Sequence, residues 1–240
     1  LTLKEMNKIP EASEMLQKAI ILSPFYALAH LSLGDLCYHQ HLTSQALMCY
    51  NTYLLLSPDG ESTPDVLVAI DKLIGSDNPH KKNAEISKDD TSFEDIDLIL
   101  DNRIALQDKY KTKNEINIAF VKQNHILFEQ LKSYKGANDF WDTKYVKLYQ
   151  WIYNNQYFND FIYTTTYSIP NPDLKKIVEK KTEKVIGFLK LFVQKWTAIM
   201  ERNEHDFNGK KQLADAYIYD NEFRGLGHKT FLLHKLVSFI

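Results

Sequence analysis

The stretch that decides the fold runs from Ala27 to Asp59 and reads ALAHLSLGDLCYHQHLTSQALMCYNTYLLLSPD. It holds two small residues, Gly34 and Ala46, and their spacing predicts that they face each other where two helices cross closely. Larger side chains would fill the space around that crossing, namely those of Leu33, Leu47 and Tyr50. Pro58 ends the second helix, because proline lacks the amide donor and clashes with the preceding turn.

The second-helix pattern also occurs one period earlier. Four residues match it at an offset of 34 residues: Ala12, Leu16, Ala19 and Pro24. The combined spacing of Leu-Gly, alanine, an aromatic residue and proline resembles the tetratricopeptide repeat (TPR), a pair of antiparallel helices. His30 takes the place of the family's tryptophan, and Cys37 takes that of its tyrosine. The resemblance covers residues 1–74 and implies a fragment of an α-solenoid.

The repeat register has consequences at both ends of this solenoid. Leu1 falls at the ninth position of its repeat, and about three repeats are needed for a stable stack. We therefore expect further repeats upstream in the parent protein, or another chain that covers this end. The helix Thr63 to Ile74 lacks the Leu-Gly signature; with Thr63 as N-cap and Pro64 at the first position, it is predicted to cap the solenoid.

The remaining chain divides into three parts. Residues 75–92 are nearly free of apolar side chains, which predicts a flexible linker between two cooperative units. Residues 93–203 predict an aromatic-rich helical domain that matches no family we recognise. Its expected helices run from Phe93 to Lys109, Ile116 to Tyr134, Phe140 to Asn155, and Asn171 to Asn203. The segment 157–168 stays open between strand and helix, because its YTTTY sequence favours a strand.

Residues 204–240 predict a β-hairpin segment that is truncated, so the expected fold is mainly α with a short C-terminal hairpin. The turn signal is Asp220-Asn221 between alternating apolar and polar residues. Residues 215–233 are weakly similar to the β-hairpin repeats of the MORN type. That similarity implies a surface- or substrate-binding element.

Composition and motifs argue against several functional classes. The formal charge of −2 provides no basic field for nucleic acid, and no apolar stretch is long enough to span a membrane. We find no phosphate loop, nucleophile elbow or zinc-protease motif, and we predict no catalytic residue, cofactor, metal site or small-molecule substrate. His39-Gln40-His41 sits at a helix end, where its two imidazoles point different ways. Cys37 and Cys49 are predicted to be buried free thiols.

The resemblance also names a candidate partner-binding groove. In tetratricopeptide repeats, the first helix of each pair lines a concave surface that takes an extended peptide or a helix. The corresponding residues in this chain are Leu28, Leu31, Asp35, Tyr38 and His39. This mostly apolar set with one carboxylate suits a hydrophobic segment that carries Lys or Arg. The alternative is that these residues pack against a neighbouring repeat or the helical domain. A groove role predicts that they are more exposed than Leu33, Leu47 and Tyr50.

The sequence thus favours a non-enzymatic protein–protein interaction scaffold, or an assembly subunit of a larger complex. The alternative is a cell-envelope accessory protein whose C-terminal hairpin repeats bind a surface or substrate. The compartment stays open: cytoplasmic, or periplasmic if a signal peptide has been removed. The partner's identity and the oligomeric state stay open as well.

Overall fold

The computed structural model describes residues 8–74, 93–136 and 138–201, and within these ranges the chain forms ten α-helices and no strand. The mainly helical class is therefore confirmed. The helices are α1 (Ile9–Leu22), α2 (Ala27–His39), α3 (Thr43–Leu56), α4 (Thr63–Ile74), α5 (Phe93–Asp101), α6 (Ala119–Lys132), α7 (Lys147–Asn154), α8 (Phe158–Thr165), α9 (Pro172–Glu179) and α10 (Thr182–Glu201). A 3₁₀ turn, Ile104–Leu106, follows α5, and a π-helical segment, Trp141–Val146, leads into α7. The predicted linker (75–92) and β-hairpin (204–240) lie outside the described residues.

Helices α2 and α3 form the pair that the opening stretch predicts. Leu33, Leu47 and Tyr50 are all buried between them and their neighbours. The crossing differs in one detail from the expectation. The three atoms nearest to a β-carbon built on Gly34 belong to Tyr50 and Cys49, rather than to Ala46. Gly34 is therefore small because the Tyr50 ring lies directly against its backbone.

We expect Gly34→Ala to destabilise the protein, although alanine is the better helix former. Its β-carbon would lie 2.8 Å from two Tyr50 ring carbons, and overpacking of this kind costs about 1–3 kcal/mol. The helix-propensity gain of about 1 kcal/mol offsets part of that cost. Gly187→Ala is the matched control, because nothing lies within 4 Å of that position on α10. Urea unfolding should show the control to be neutral or stabilised; equal effects at both sites would contradict the close approach.

Helix α3 is the centre of the molecule, since all of its residues are buried. It packs against α2, α4, α5 and α8. Polar groups link it to the C-terminal helices: Tyr149 donates to the Met48 carbonyl at 3.1 Å, and the Asn51 amide donates to Asn124 at 2.6 Å. A helix that is apolar around most of its circumference must be covered on every side.

The N-terminus of α3 is capped from a distance. Its own N-cap residue, Leu42, offers no side-chain acceptor. The Asp97 carboxylate of α5 instead accepts from the backbone amides of Ser44 at 2.6 Å and Thr43 at 3.2 Å. Burial nevertheless raises the pKa of Asp97 to about 6, against the lowering effect of these hydrogen bonds. Asp97 thus satisfies donors that the helix leaves free, at an electrostatic cost.

Two predicted helices differ from the expectation, one because it ends early and one because it is divided. The helix from Phe93 stops at Asp101, because Arg103 adopts a left-handed conformation with φ 53°. The expected helix 171–203 is divided into α9 and α10, and the Thr182 hydroxyl donates to the Glu179 carbonyl at the break. The start of this region is as expected, since the Asn171 side chain accepts from the amides of Asp173 and Leu174.

The segment left open between strand and helix, residues 157–168, contains helix α8, whose Phe161 and Ile162 are buried. The hydroxyls of Thr164 and Thr165 donate to carbonyls four residues earlier. This back-bonding lets β-branched threonines remain in a helix.

Thr63 is the first residue of α4 rather than its N-cap, and its hydroxyl donates to the Ser57 carbonyl at 2.9 Å.

One hydrophobic core runs through both helical regions, from Ile20 to Met200. Residues 93–201 therefore cover the N-terminal helices directly. Because the linker itself lies outside the described residues, the division into domains stays a prediction. Within the described residues, no helix is long and apolar enough to cross a membrane.

Candidate partner-binding surface

The five predicted groove residues define what we call the outer side of α2, and two of them, Leu31 and Tyr38, also pack against the hydrophobic core. Leu28 is 46% exposed and His39 is exposed, whereas Leu31, Asp35 and Tyr38 are half-buried. The three core residues of the same helix pair, Leu33, Leu47 and Tyr50, are at most 1% exposed. The expected order of exposure is therefore found. The binding role itself stays a prediction.

The single carboxylate of this set is held in place by the core. Tyr50 donates its hydroxyl hydrogen to Asp35 Oδ1 at 2.9 Å. Burial raises the pKa of Tyr50 well above its ordinary value of 10, and the negative charge of Asp35 adds to that rise. The phenol therefore stays protonated and keeps donating. Asp35 thus presents a positioned negative charge on an otherwise apolar helix face.

The opposite side of α2 is already occupied. His30 is fully buried, with Nδ1 2.6 Å from the Tyr145 hydroxyl and Nε2 2.9 Å from the Pro24 carbonyl. Because a carbonyl can only accept, Nε2 carries the proton and Nδ1 accepts from Tyr145. Trp196 Nε1 donates to the same Pro24 carbonyl at 2.9 Å. Three distant parts of the chain thus meet behind α2.

The cluster of His30, Tyr145, Trp196 and the Pro24 carbonyl, here called the aromatic node, fixes the charge state of His30. Burial lowers the pKa of His30 to about 4, against the opposing effect of its hydrogen bond to Pro24. The imidazole is therefore neutral near pH 7 and serves as a structural hydrogen-bonding group. Its ring lies edge-on to Tyr145, with centroids 5.9 Å apart, and at the same distance from Trp196. This buried position of α2 is thus filled by an imidazole that binds two partners.

The predicted free thiols are found buried beside this node. Cys37 and Cys49 are unpaired and at most 3% exposed. Burial raises the pKa of the Cys49 thiol well above its ordinary value, so the nucleophilic thiolate is disfavoured. Within the described residues, no group of three or more His, Cys, Asp or Glu side chains could hold a metal ion.

The structure adds three exposed apolar side chains that the sequence analysis missed. Met15 and Leu22 of α1 are 59% and 65% exposed, and Tyr26 at the start of α2 is 52% exposed. The helical period of α1 contains a signal for two of them, since Met15 and Leu22 lie off the stripe that buries Ala12 and Ile20.

The lysine-rich segment at α9 and α10 has local ion pairs. Lys181 lies 2.9 Å from Glu115, and Lys176 lies 3.2 Å from Asp173. Tyr163 donates to the same Glu115 carboxylate. The hydrogen bonds from Lys181 and Tyr163 lower the pKa of Glu115. Lys176 and Lys181 are thus balanced by carboxylates, one on the same helix and one from another part of the chain.

The candidate surface therefore consists of the outer side of α2. The back of α2 is closed by Tyr145 and Trp196, so within the described chain a partner can approach α2 from its outer side. Comparison of the chain with protein-family models, with curated proteins and with solved structures found no match. The tetratricopeptide resemblance accordingly rests on the sequence positions.

Proposed function

We propose that this protein is a non-enzymatic scaffold or assembly subunit that holds a segment of a partner protein on the outer side of its N-terminal helices. The observation that carries this proposal is the contrast between the two sides of α2. The inner side is filled by a hydrogen-bonded aromatic node, whereas the outer side leaves Leu28 46% exposed and also carries a positioned carboxylate, Asp35.

Physical considerations support a binding role for such a surface. Large apolar side chains left exposed next to each other are typical of recognition surfaces, where a few anchors supply most of the binding energy. The rigid helix pair beneath them reduces the entropy lost on binding. The tetratricopeptide resemblance places the groove on the same helix face. Asp35 favours a partner segment that carries Lys or Arg.

Site-specific photo-crosslinking of the full chain tests this proposal. A photoreactive residue at His39, which is exposed on α2, should capture a defined partner in cells. The same residue at Val68, which is 54% exposed on α4, is the control. Capture of the same proteins from both positions, or of none from His39, would contradict a specific surface on α2.

The affinity of that partner should depend on the apolar anchors. We expect Leu28→Ala and Tyr38→Ala each to weaken binding by about 1 kcal/mol or more, as for interface anchors. Leu28→Ala should change the free energy of unfolding by less than about 0.5 kcal/mol, because the side chain is largely exposed. Calorimetric titration and urea unfolding measure the two effects. Unaffected binding together with severe destabilisation would show that these residues are core.

A further inference from the structure

Residues 109–117, which connect the 3₁₀ turn to α6, alternate between exposed and covered positions. Lys109, Lys111 and Lys113 are exposed, the two residues between them are half-buried, and the alternation continues through buried residues at positions 114 and 116. This stretch contains neither helix nor strand. Side chains that alternate in this way point to opposite sides of the chain, so the three lysines share its outward side. Residues 109–113 are here called the lysine segment.

The spacing of the lysine segment matches that of an extended partner chain. At about 3.3 Å per residue, next-but-one residues of an extended chain are about 6.6 Å apart. A second extended chain repeats the side chains of one side at the same distance. Within the described part of the chain, the backbone groups of residues 111–113 form no hydrogen bond with another residue. Both the outward side chains and this backbone are therefore available to a partner.

The inward side of the lysine segment is fixed to the helices beneath it. The Tyr110 hydroxyl lies 2.6 Å from Nδ1 of His125 on α6. Asn114, directly after the segment, donates to Asn159 of α8 at 2.8 Å and accepts from the backbone amide of Ile116 at 2.7 Å. A surface that is already ordered loses little entropy when it binds.

This part of the molecule is basic, although the chain as a whole is slightly acidic. Residues 102–201 contain 16 Lys or Arg and 10 Asp or Glu residues, a formal charge of +6, against −2 for the full chain. Among the described residues, none of Lys109, Lys111 and Lys113 forms an ion pair. A partner that carries Asp or Glu would complement this charge.

Three carboxylates adjoin the lysine segment without neutralising it. Glu115 already pairs with Lys181 at 2.9 Å, and Lys180 adds further positive charge beside it. Glu129 lies on α6, 3.8 Å from the histidine that anchors the segment. Asp108 precedes the segment at an exposed turn position. The three lysines of the segment, together with Lys180 and Lys181, outnumber these carboxylates, so the surface keeps a net positive charge.

An acidic protein segment fits this surface better than a nucleic acid. Proteins bind single-stranded nucleic acids through aromatic side chains on which bases stack. Among the described residues from 102 to 201, no aromatic side chain is exposed. The outward carboxylate of Glu115 would also repel a phosphate backbone that continued past the last lysine. An extended peptide, in contrast, can place its carboxylates on alternate residues and end there.

We propose that the lysine segment binds an acidic segment of a second protein, which lies along it as an extended chain with Asp or Glu at alternate positions. Each lysine pairs with one carboxylate, and the backbone of residues 111–113 bonds to the backbone of the partner. This inference goes beyond the proposed scaffold function, because it adds a second binding surface that shares no residue with the surface on α2.

Two short synthetic peptides test the partner's chemistry on the full-length protein. Both contain three glutamates among threonines, at every second position in one and at every third position in the other. By fluorescence anisotropy at low salt, the alternating peptide should bind at least about fivefold more tightly, and added salt should weaken its binding. Equal affinities of the two peptides, or no binding of either, would overturn the proposal. Tighter binding of an oligothymidylate of equal charge would assign the segment to nucleic acid and overturn it as well.

Surface variants show where the alternating peptide binds. Lys111→Gln and Lys113→Gln should each weaken its binding by about twofold to fivefold, the range of exposed ion pairs, and a triple variant with Lys109→Gln by about tenfold or more. Lys72→Gln is the matched control, since it removes the same charge from an exposed position on α4, and it should leave the affinity unchanged. If the control weakens binding as much as the other single variants, only the overall charge matters and the proposal fails. Because the His39 crosslink is measured separately, failure here leaves the scaffold function on α2 intact.

Discussion

Replacing Trp196 by alanine is expected to lower the free energy of unfolding by about 3–5 kcal/mol, the usual cost of removing a buried tryptophan. The side chain is fully buried, with its ring stacked on Phe192 and within 6 Å of the rings of His30 and Tyr145. Its Nε1 donates to Pro24, so the substitution also separates α10 from the α1–α2 turn. Because domains are stable by only about 5–15 kcal/mol, a loss of this size brings the chain close to unfolding.

Trp196→Phe is the matched control, measured by urea unfolding and circular dichroism. Phenylalanine keeps most of the ring packing, and the Pro24 carbonyl retains its hydrogen bond from His30. We expect a cost of about 1–2 kcal/mol. Equal costs for both variants would mean that the hydrogen bond, rather than the packing, holds α10.

The same measurement tests how the chain is divided. Since Trp196 and Tyr149 join the C-terminal helices to the first helices, we expect wild-type protein to unfold in one transition that weakens as a whole in Trp196→Ala. Two separate transitions would instead support the two cooperative units predicted from the sequence.

The second large effect is a pair of opposite pH dependences between pH 4 and 6.5. Burial lowers the pKa of His30 to about 4, so between pH 6.5 and 4 the unfolded chain binds a proton that the folded chain does not. His30 therefore removes stability as the pH falls through this range. At about 1.4 kcal/mol per pKa unit, the loss is on the order of 3 kcal/mol.

Asp97 acts in the opposite direction. Its pKa is raised from 3.8 to about 6 by burial, so between pH 6 and 3.8 the folded chain holds a proton that the unfolded chain has released. Asp97 therefore adds stability as the pH falls, again on the order of 3 kcal/mol. The two contributions largely cancel in the wild-type protein.

Single substitutions should reveal each contribution. The quantity to measure is the free energy of unfolding of each variant relative to wild type, at pH 6.5 and at pH 4. Relative to wild type, Asp97→Asn should become less stable on acidification by on the order of 3 kcal/mol, because it lacks the group that gains the proton. His30→Gln, which can still donate to Pro24 and accept from Tyr145, should become relatively more stable by a similar amount. Parallel pH profiles for wild type and both variants would contradict the burial of these two groups.

The local sequence determined the helix pair α2–α3 and much of its packing. Proline stops, helical period and small residues at the crossing act over one or two turns, so they can be read without knowing the fold. The same period separated exposed Leu28 from buried Leu33. The Asn171 cap is equally local, since its side chain bonds amides two and three residues away.

Other features depended on the tertiary structure. The sequence shows that α3 is apolar around most of its circumference, but not that α5 and α8 cover it. Nothing local distinguishes Asp97, whose amide partners lie more than 50 residues earlier. The breaks after Asp101 and Glu179 likewise interrupt patterns that are helical in sequence.

The back of α2 shows most clearly why local sequence could not predict these features. His30 meets Tyr145 across 115 residues, and Trp196 reaches Pro24 across 172. A side-chain period reports which face of a helix is apolar, whereas the partner of that face is chosen by how all the helices pack together. The sequence therefore determined which residues of α2 point inward and which point outward. The tertiary structure decided that the inner face of α2 is closed, whereas Leu28 and His39 on its outer side remain exposed.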